Sequence, residues 1–81
     1  MKYGIYQHYK GQYYRVLFLG RDADTLEETV IYQGLYTNEF GVNPIWTRNK
    51  KEFEKPLEDQ RIRFQYLGPF PQALESIKDK L

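Results

Sequence analysis

The fold of this chain is decided by the stretch Tyr-Tyr-Arg-Val-Leu-Phe-Leu-Gly at residues 13–20, which is apolar and rich in residues that favour strands. A run of this kind, apolar on both faces, is typical of a central strand of a sheet. Gly11 precedes it and marks a turn, so residues 3–9 and 12–20 are predicted to form a β-hairpin. The rest of the sheet is expected to build outward from this hairpin.

The chain is predicted to add three further strands to this hairpin. In the last of them the apolar residues Ile62, Phe64 and Tyr66 alternate with polar residues such as Arg63, as in an antiparallel strand with one buried face. We expect the apolar side chains to face the core and the polar side chains to face solvent. The three strands are predicted at residues 28–36, 45–48 and 61–67.

A short helical segment is predicted between the fourth and fifth strands, at residues 49–55. Asn49 is a residue type that caps helices, because its side-chain oxygen accepts hydrogen bonds from free backbone N–H groups. Phe53 is the one apolar residue of the segment and is expected to hold it against the sheet. The segment is therefore predicted to be a single helical or 3₁₀ turn.

A second helix is predicted at the C-terminus, after a stretch rich in Gly and Pro. Leu74, Ile77 and Leu81 recur at helical spacing, and Pro71 suits a first helical position. A helix of about ten residues is marginal alone, so we expect it to pack on the sheet or on a partner. The predicted division is a β domain over residues 1–68 and a helical tail over residues 69–81.

The order of these elements predicts a mainly-β fold. Five short strands, polar loops and one helical turn are typical of a small SH3-like antiparallel barrel. The alternative is an open meander of strands with the C-terminal helix across one face.

Composition narrows the classes of function. The chain has 81 residues, no Cys and a net charge of +1, which excludes disulfides, thiolate metal sites and cysteine nucleophiles. The small net charge argues against the large basic field that attracts nucleic acids without sequence preference. No apolar run approaches the roughly 20 residues needed to cross a bilayer, and no secretory signal is recognisable. We expect a cytoplasmic protein without a cofactor.

The candidate site lies on two of the predicted strands. Tyr6, His8 and Lys10 are two residues apart, so in an extended strand they project from one face. Trp46 and Arg48 share a face for the same reason, and a guanidinium beside aromatic rings suits a flat anion. We predict a surface for a small anionic ligand, a nucleotide-like group or a short peptide, with a carboxylate at its rim. Its predicted residues are Tyr6, His8, Lys10, Glu27, Trp46 and Arg48.

Each of these residues also has a structural interpretation. His8 can be a strand residue that is hydrogen-bonded to a neighbouring carboxylate or carbonyl. Trp46 can belong to the core, with Arg48 covering its edge. Glu27 and Glu28 can pair with Arg48 or Lys10 on the surface, which would stabilise the fold by at most about 1 kcal/mol.

Two other classes of function stay open. A nucleic-acid-binding or regulatory β-barrel would use exposed tyrosines and the basic region from Lys50 to Arg63. An enzyme would act through His8, but a general base needs a partner in reach, and Ser76 in the tail is the one Ser of the chain. Nothing in the spacing of His8 and the nearby carboxylates requires a metal. We therefore predict a non-catalytic binding module without a metal site.

Several short motifs between residues 4 and 66 occur together in a characteristic order. They are Gly4-x-Tyr6-x-His8-Tyr9-Lys10-Gly11, Tyr14-x-Val16, the run from Thr25 to Tyr36, Trp46-x-Arg48, Phe53 and Arg63-Phe64. In this order and spacing they resemble the small bacterial family called domain of unknown function 1653. The resemblance implies a compact β domain and supplies no activity.

The chain departs from that family's pattern at two positions. Family members usually have a His in the loop after the second strand, where this chain has Asp22, and a Pro after Trp-x-Arg, where it has Asn49. A surface that relied on the loop His would be altered here.

Overall fold

The computed structural model describes residues 1–81, and an antiparallel sheet of five strands forms its centre. The strands are β1 (Gly4–His8), β2 (Tyr13–Arg21), β3 (Glu28–Gly34), β4 (Thr37–Asn38), β5 (Gly41–Val42), β6 (Ile45–Asn49) and β7 (Phe64–Gly68). The order across the main sheet is β6-β3-β2-β1-β7, and β4 and β5 form a separate small hairpin. The predicted mainly-β class and the five strands of the sheet are confirmed.

The sheet is strongly curled but open. Four strand spacings of about 4.8 Å would place β6 and β7 roughly 19 Å apart in a flat sheet. Instead, the guanidinium of Arg48 in β6 lies 5.9 Å from the ring centre of Phe64 in β7. An irregularity in β2 between Val16 and Phe18 adds to the bend. Because β6 and β7 are the edges and do not pair, closure into an SH3-like barrel is not confirmed.

One face of the sheet, called the aromatic face below, carries the larger core. Helix α1 (Lys50–Glu54) covers it through Phe53, which is 2% exposed. The ring of Phe53 stacks on that of Phe64, with 4.0 Å between the ring centres. The buried residues of this core are Tyr6, Val16, Val30, Tyr32, Phe53 and Phe64.

The cap of α1 agrees with the sequence prediction. The side chain of Asn49 accepts hydrogen bonds from the backbone N–H groups of Lys51 and Glu52. These groups have no partner within the helix, so the cap satisfies them.

The opposite face, called the aliphatic face below, has a smaller core under the C-terminal helix. Helix α2 (Gln72–Ile77) is followed by a 3₁₀ turn at Lys78–Lys80. Ala73 and Ile77 pack on Ile5, which is fully buried. Leu81 lies beyond the helix and is 55% exposed, so its predicted place on the apolar side of the helix is wrong. Neither helix has the length and apolar character needed to cross a membrane.

The start of the last strand differs from the prediction. Residues up to 63 form a loop, in which the backbone N–H of Leu57 donates to the carbonyl of Arg61, and β7 begins only at Phe64. The alternation assumed for residues 61–67 therefore fails before Phe64. Ile62 is 58% exposed, whereas Arg63 turns its Nε into the protein.

Candidate functional site

Four of the predicted site residues lie on the aromatic face, and one of them, Tyr6, is buried in its core. His8 is in β1, and Trp46 and Arg48 are in β6, opposite Tyr32 and Val30 of β3. The strands β1 and β6 are not neighbours, because β2 and β3 lie between them. The curl of the sheet brings their side chains together across this face.

His8 is held as a neutral imidazole. Its Nδ1 accepts a hydrogen bond of 3.2 Å from the backbone N–H of Lys10, so the ring proton of the neutral form is on Nε2. Burial lowers the pKa of His8, and the positive charges of Arg48, Arg63 and Lys10 lower it further. The expected carboxylate or carbonyl partner is absent, and the ring packs 4.9 Å from Phe64.

Two arginines beside His8 have no carboxylate partner. Arg48 donates from Nε to the hydroxyl of Tyr32 at 3.2 Å. The Nε of Arg63 is buried and has no hydrogen-bond partner. Neither side chain is among the ion pairs of the structure. Sequence reasoning placed Arg63 outward because it assumed that the strand alternation extends to this residue, whereas β7 begins only at Phe64.

The carboxylates of Glu27 and Glu28 contact residues other than Arg48 and Lys10. Glu27 accepts a hydrogen bond from the side-chain amide of Asn49, and Glu28 pairs with Lys50 at 3.8 Å. The predicted pairing of Glu27 with Arg48 or Lys10 is therefore wrong. Glu27 and Arg48 do line one surface cleft of about 320 Å³, together with Thr29 and Thr47, which alternate with Arg48 along the edge of the sheet.

A chain of hydrogen bonds runs from the tryptophan to two tyrosines. Trp46 donates from Nε1 to the hydroxyl of Tyr36 at 2.9 Å, and the hydroxyls of Tyr36 and Tyr14 are 3.1 Å apart. Burial, followed by the contact with Tyr36, raises the pKa of Tyr14. Trp46 is half-buried and packs against the core, so its ring has a structural role as well.

The sequence interpretation did not include Tyr14 and Tyr36 in the site. Tyr14 and Val16 are two residues apart, which puts both side chains on one face of β2, and this spacing is the signal that could have indicated Tyr14. No local pattern indicates that Tyr14 and Tyr36 meet.

Tyr6 and Lys10 do not lie on the predicted ligand-binding surface. Tyr6 is 6% exposed and belongs to the core, where its hydroxyl donates to the carbonyl of Lys2 and burial raises its pKa. The strand β1 ends at His8, so the strand alternation does not reach Lys10. Its amine lies 5.9 Å from the ring centre of Tyr9.

The fold and the site together define a small mainly-β domain with a basic and aromatic concave face. A family model described as a protein of unknown function, DUF1653, matches residues 4–66. The crystal structure of a protein belonging to DUF1653 from Bordetella bronchiseptica is similar, with 32% identity and a TM-score of 0.74 over 85% of this chain and 90% of that chain. The comparison with curated proteins found no match.

The chain therefore belongs to the DUF1653 family, as its motifs suggested. The matched residues include every buried residue of the aromatic face, from Tyr6 to Phe64, and end before α2.

Proposed function

We propose that this protein is a non-catalytic binding module that holds a small anionic ligand on its aromatic face, beside His8, Arg48 and Arg63. The observation that carries the proposal is the pair of arginines without a carboxylate partner. A buried guanidinium nitrogen without an acceptor is costly, and an anion would supply that acceptor. The absence of Cys fits a reducing compartment, and we propose the cytoplasm.

The surroundings of the arginines suit an anion with an apolar or flat part. The ring of Phe64 lies beside both His8 and Arg48 but is buried, whereas the exposed ring of Phe40 packs edge-on against Trp46, with 5.6 Å between the ring centres. Aromatic surface next to a guanidinium favours a planar group that can stack while its charge is held.

The alternative nucleic-acid interface has less support. Lys50 pairs with Glu28 and Glu54, and Arg61 pairs with Asp59. These carboxylates offset part of the positive charge between Lys50 and Arg63, whereas binding to phosphate backbones depends on free cations. Catalysis by His8 has no supporting contact either, because the hydrogen bond of its ring comes from the backbone N–H of Lys10.

Fluorescence titration tests the proposal directly, since Trp46 is the single tryptophan of the chain and lies on the same face. The probes are AMP, inorganic phosphate, malonate and a short acidic peptide, each at two salt concentrations. We expect saturable binding of at least one probe, weakened at least about tenfold by Arg48→Gln because a charge-assisted hydrogen bond is lost.

The matched control is Arg15→Gln. Arg15 lies on the aliphatic face, 3.6 Å from the ring centre of Phe70, and its replacement is expected to leave binding unchanged. Absence of binding by all four probes, or an equal loss in both variants, contradicts the proposed function. Affinity that falls steeply with salt for oligonucleotides alone would support the nucleic-acid interface instead.

A further inference from the structure

The hydrogen-bond chain on the aromatic face has more donors than acceptors. Trp46 Nε1 and the hydroxyls of Tyr36 and Tyr14 are three donors, but only two hydrogen bonds join them. An indole N–H donates and never accepts, so the chain cannot close on itself. Whichever way the tyrosine protons point, one O–H is left without an acceptor in the protein.

The groups around this chain are also donors without acceptors. The hydroxyl of Tyr32 accepts from Arg48, and its own proton has no acceptor in the protein. Nε2 of His8 carries the ring proton, because Nδ1 accepts the bond from Lys10, and this proton has no acceptor in the protein either. The buried Nε of Arg63 also has no acceptor. The aromatic face therefore presents a set of donors, and a complementary group must be made of acceptors.

The positions of these donors favour a tetrahedral group over a planar one. They come from β1, β2, β3, β6 and the residue before β7, which follow one another around a curled sheet. Donors arranged on a concave surface approach a bound group from several directions. A phosphoryl group has three terminal oxygens that point in different directions, whereas a carboxylate has two oxygens in one plane.

The charges agree with this choice. Arg48 and Arg63 carry two positive charges, and His8 contributes none in its neutral form. A phosphomonoester carries about −1.5 to −2 at pH 7, which matches the two guanidinium groups. From the donor set and its charge we infer that the ligand is a phosphomonoester, held through its phosphoryl group by Arg48, Arg63 and the hydroxyl of Tyr14. This inference rests on the proposed function and names its ligand class.

Calorimetric titration of the full chain at pH 7.5 tests the inference with three probes. AMP carries a phosphoryl group, adenosine is the same molecule without it, and malonate is a dianion with planar carboxylates. We expect AMP to bind at least about tenfold more tightly than either of the others. Tyr14→Phe keeps the ring and removes one donor, and it is expected to weaken AMP roughly three- to tenfold.

The outcomes separate the inference from the proposed function. Malonate binding as tightly as AMP, with both lost in Arg48→Gln, overturns the phosphomonoester and leaves the anion-binding function in place. Adenosine binding as tightly as AMP overturns the inference as well. If none of the four probes of the fluorescence titration binds (AMP, inorganic phosphate, malonate and the acidic peptide), the proposed function fails with it. The comparison of probes in the unaltered chain decides the matter even if Tyr14→Phe does not fold.

Discussion

The two faces of the single sheet are built differently, although each is covered by a short helix. On the aliphatic face, Ala73 and Ile77 of α2 pack on Ile5 of the sheet, and these side chains have no polar atoms. The aromatic face buries Tyr6 and Tyr32 among other rings, and a tyrosine carries a hydroxyl at the end of its apolar body. A core made of tyrosines therefore supplies hydrogen-bonding groups at its margin, which a core of aliphatic residues cannot do.

The two helices that cover the faces also differ in their local stabilisation. Helix α1 is capped by the side chain of Asn49, whereas Pro71 at the start of α2 provides no side-chain cap. The last turn of α2 has no basic residue to complement the helix dipole. We conclude that α2 depends mainly on packing, because its exposed ion pair between Lys78 and Glu75 adds little, while α1 has a capping side chain that favours the helix locally.

The strongest test of this difference is Phe53→Ala on the aromatic face. The ring is 2% exposed and stacks on Phe64, so its removal leaves a large cavity. We expect the free energy of unfolding, measured with urea, to fall by about 3–5 kcal/mol. A loss under about 1 kcal/mol would show that α1 does not contribute to the core of the aromatic face.

The corresponding change on the aliphatic face is Ile77→Ala. Ile77 is 4% exposed, and we expect a loss of about 2–3 kcal/mol by the same measurement. Because the core around Ile5 is separate from the core on the aromatic face, the emission of folded Trp46 should stay unchanged. A shifted Trp46 spectrum in the folded variant would show that the two faces are coupled.

Removing the cap of α1 is expected to have a smaller effect. Asn49→Ala leaves the N–H groups of Lys51 and Glu52 without their acceptor, at a cost of about 1 kcal/mol in unfolding free energy. Asn49→Ser keeps an uncharged acceptor and, like the Ala variant, loses the hydrogen bond to Glu27, so it serves as the control, with a loss well below that of the Ala variant. Equal losses in the two variants would mean that the cap is not the cause.

The smallest expected effect is a dependence of stability on pH that arises from His8. The folded protein lowers the pKa of His8 below the unfolded value, so the unfolded chain binds more protons in that range. Stability should therefore fall as the pH is lowered from 7.5 to 5.5, and the fall should be smaller in His8→Gln. The carboxyl groups of Asp22 and Asp59, whose pKa values are also lowered, titrate below this window. Melting temperatures at the two pH values provide the measurement, and an equal fall in both proteins would contradict the assignment to His8.

Local sequence signals were reliable where local physics decides the structure. Asn49 and Phe53 predicted α1 because a cap and one apolar residue are sufficient to define a turn packed on a sheet. The strand at Ile62 and Arg63 was predicted wrongly because alternation of residue types says nothing about where pairing starts. Pairing starts at Phe64, opposite His8, a residue that lies more than fifty positions earlier in the chain.

The sequence alone determined the mainly-β class, the five strands, the capped turn and the presence of His8 and Arg48 on strand faces, since these follow from periodicity within a few residues. It could not determine that Arg48 reaches Phe64, that Arg63 turns inward or that three polar side chains form one hydrogen-bond chain. Those features depend on the order and curl of the strands, which are set by contacts between distant parts of the chain. The candidate site is therefore a property of the assembled sheet, because no single segment contains the donors that define it.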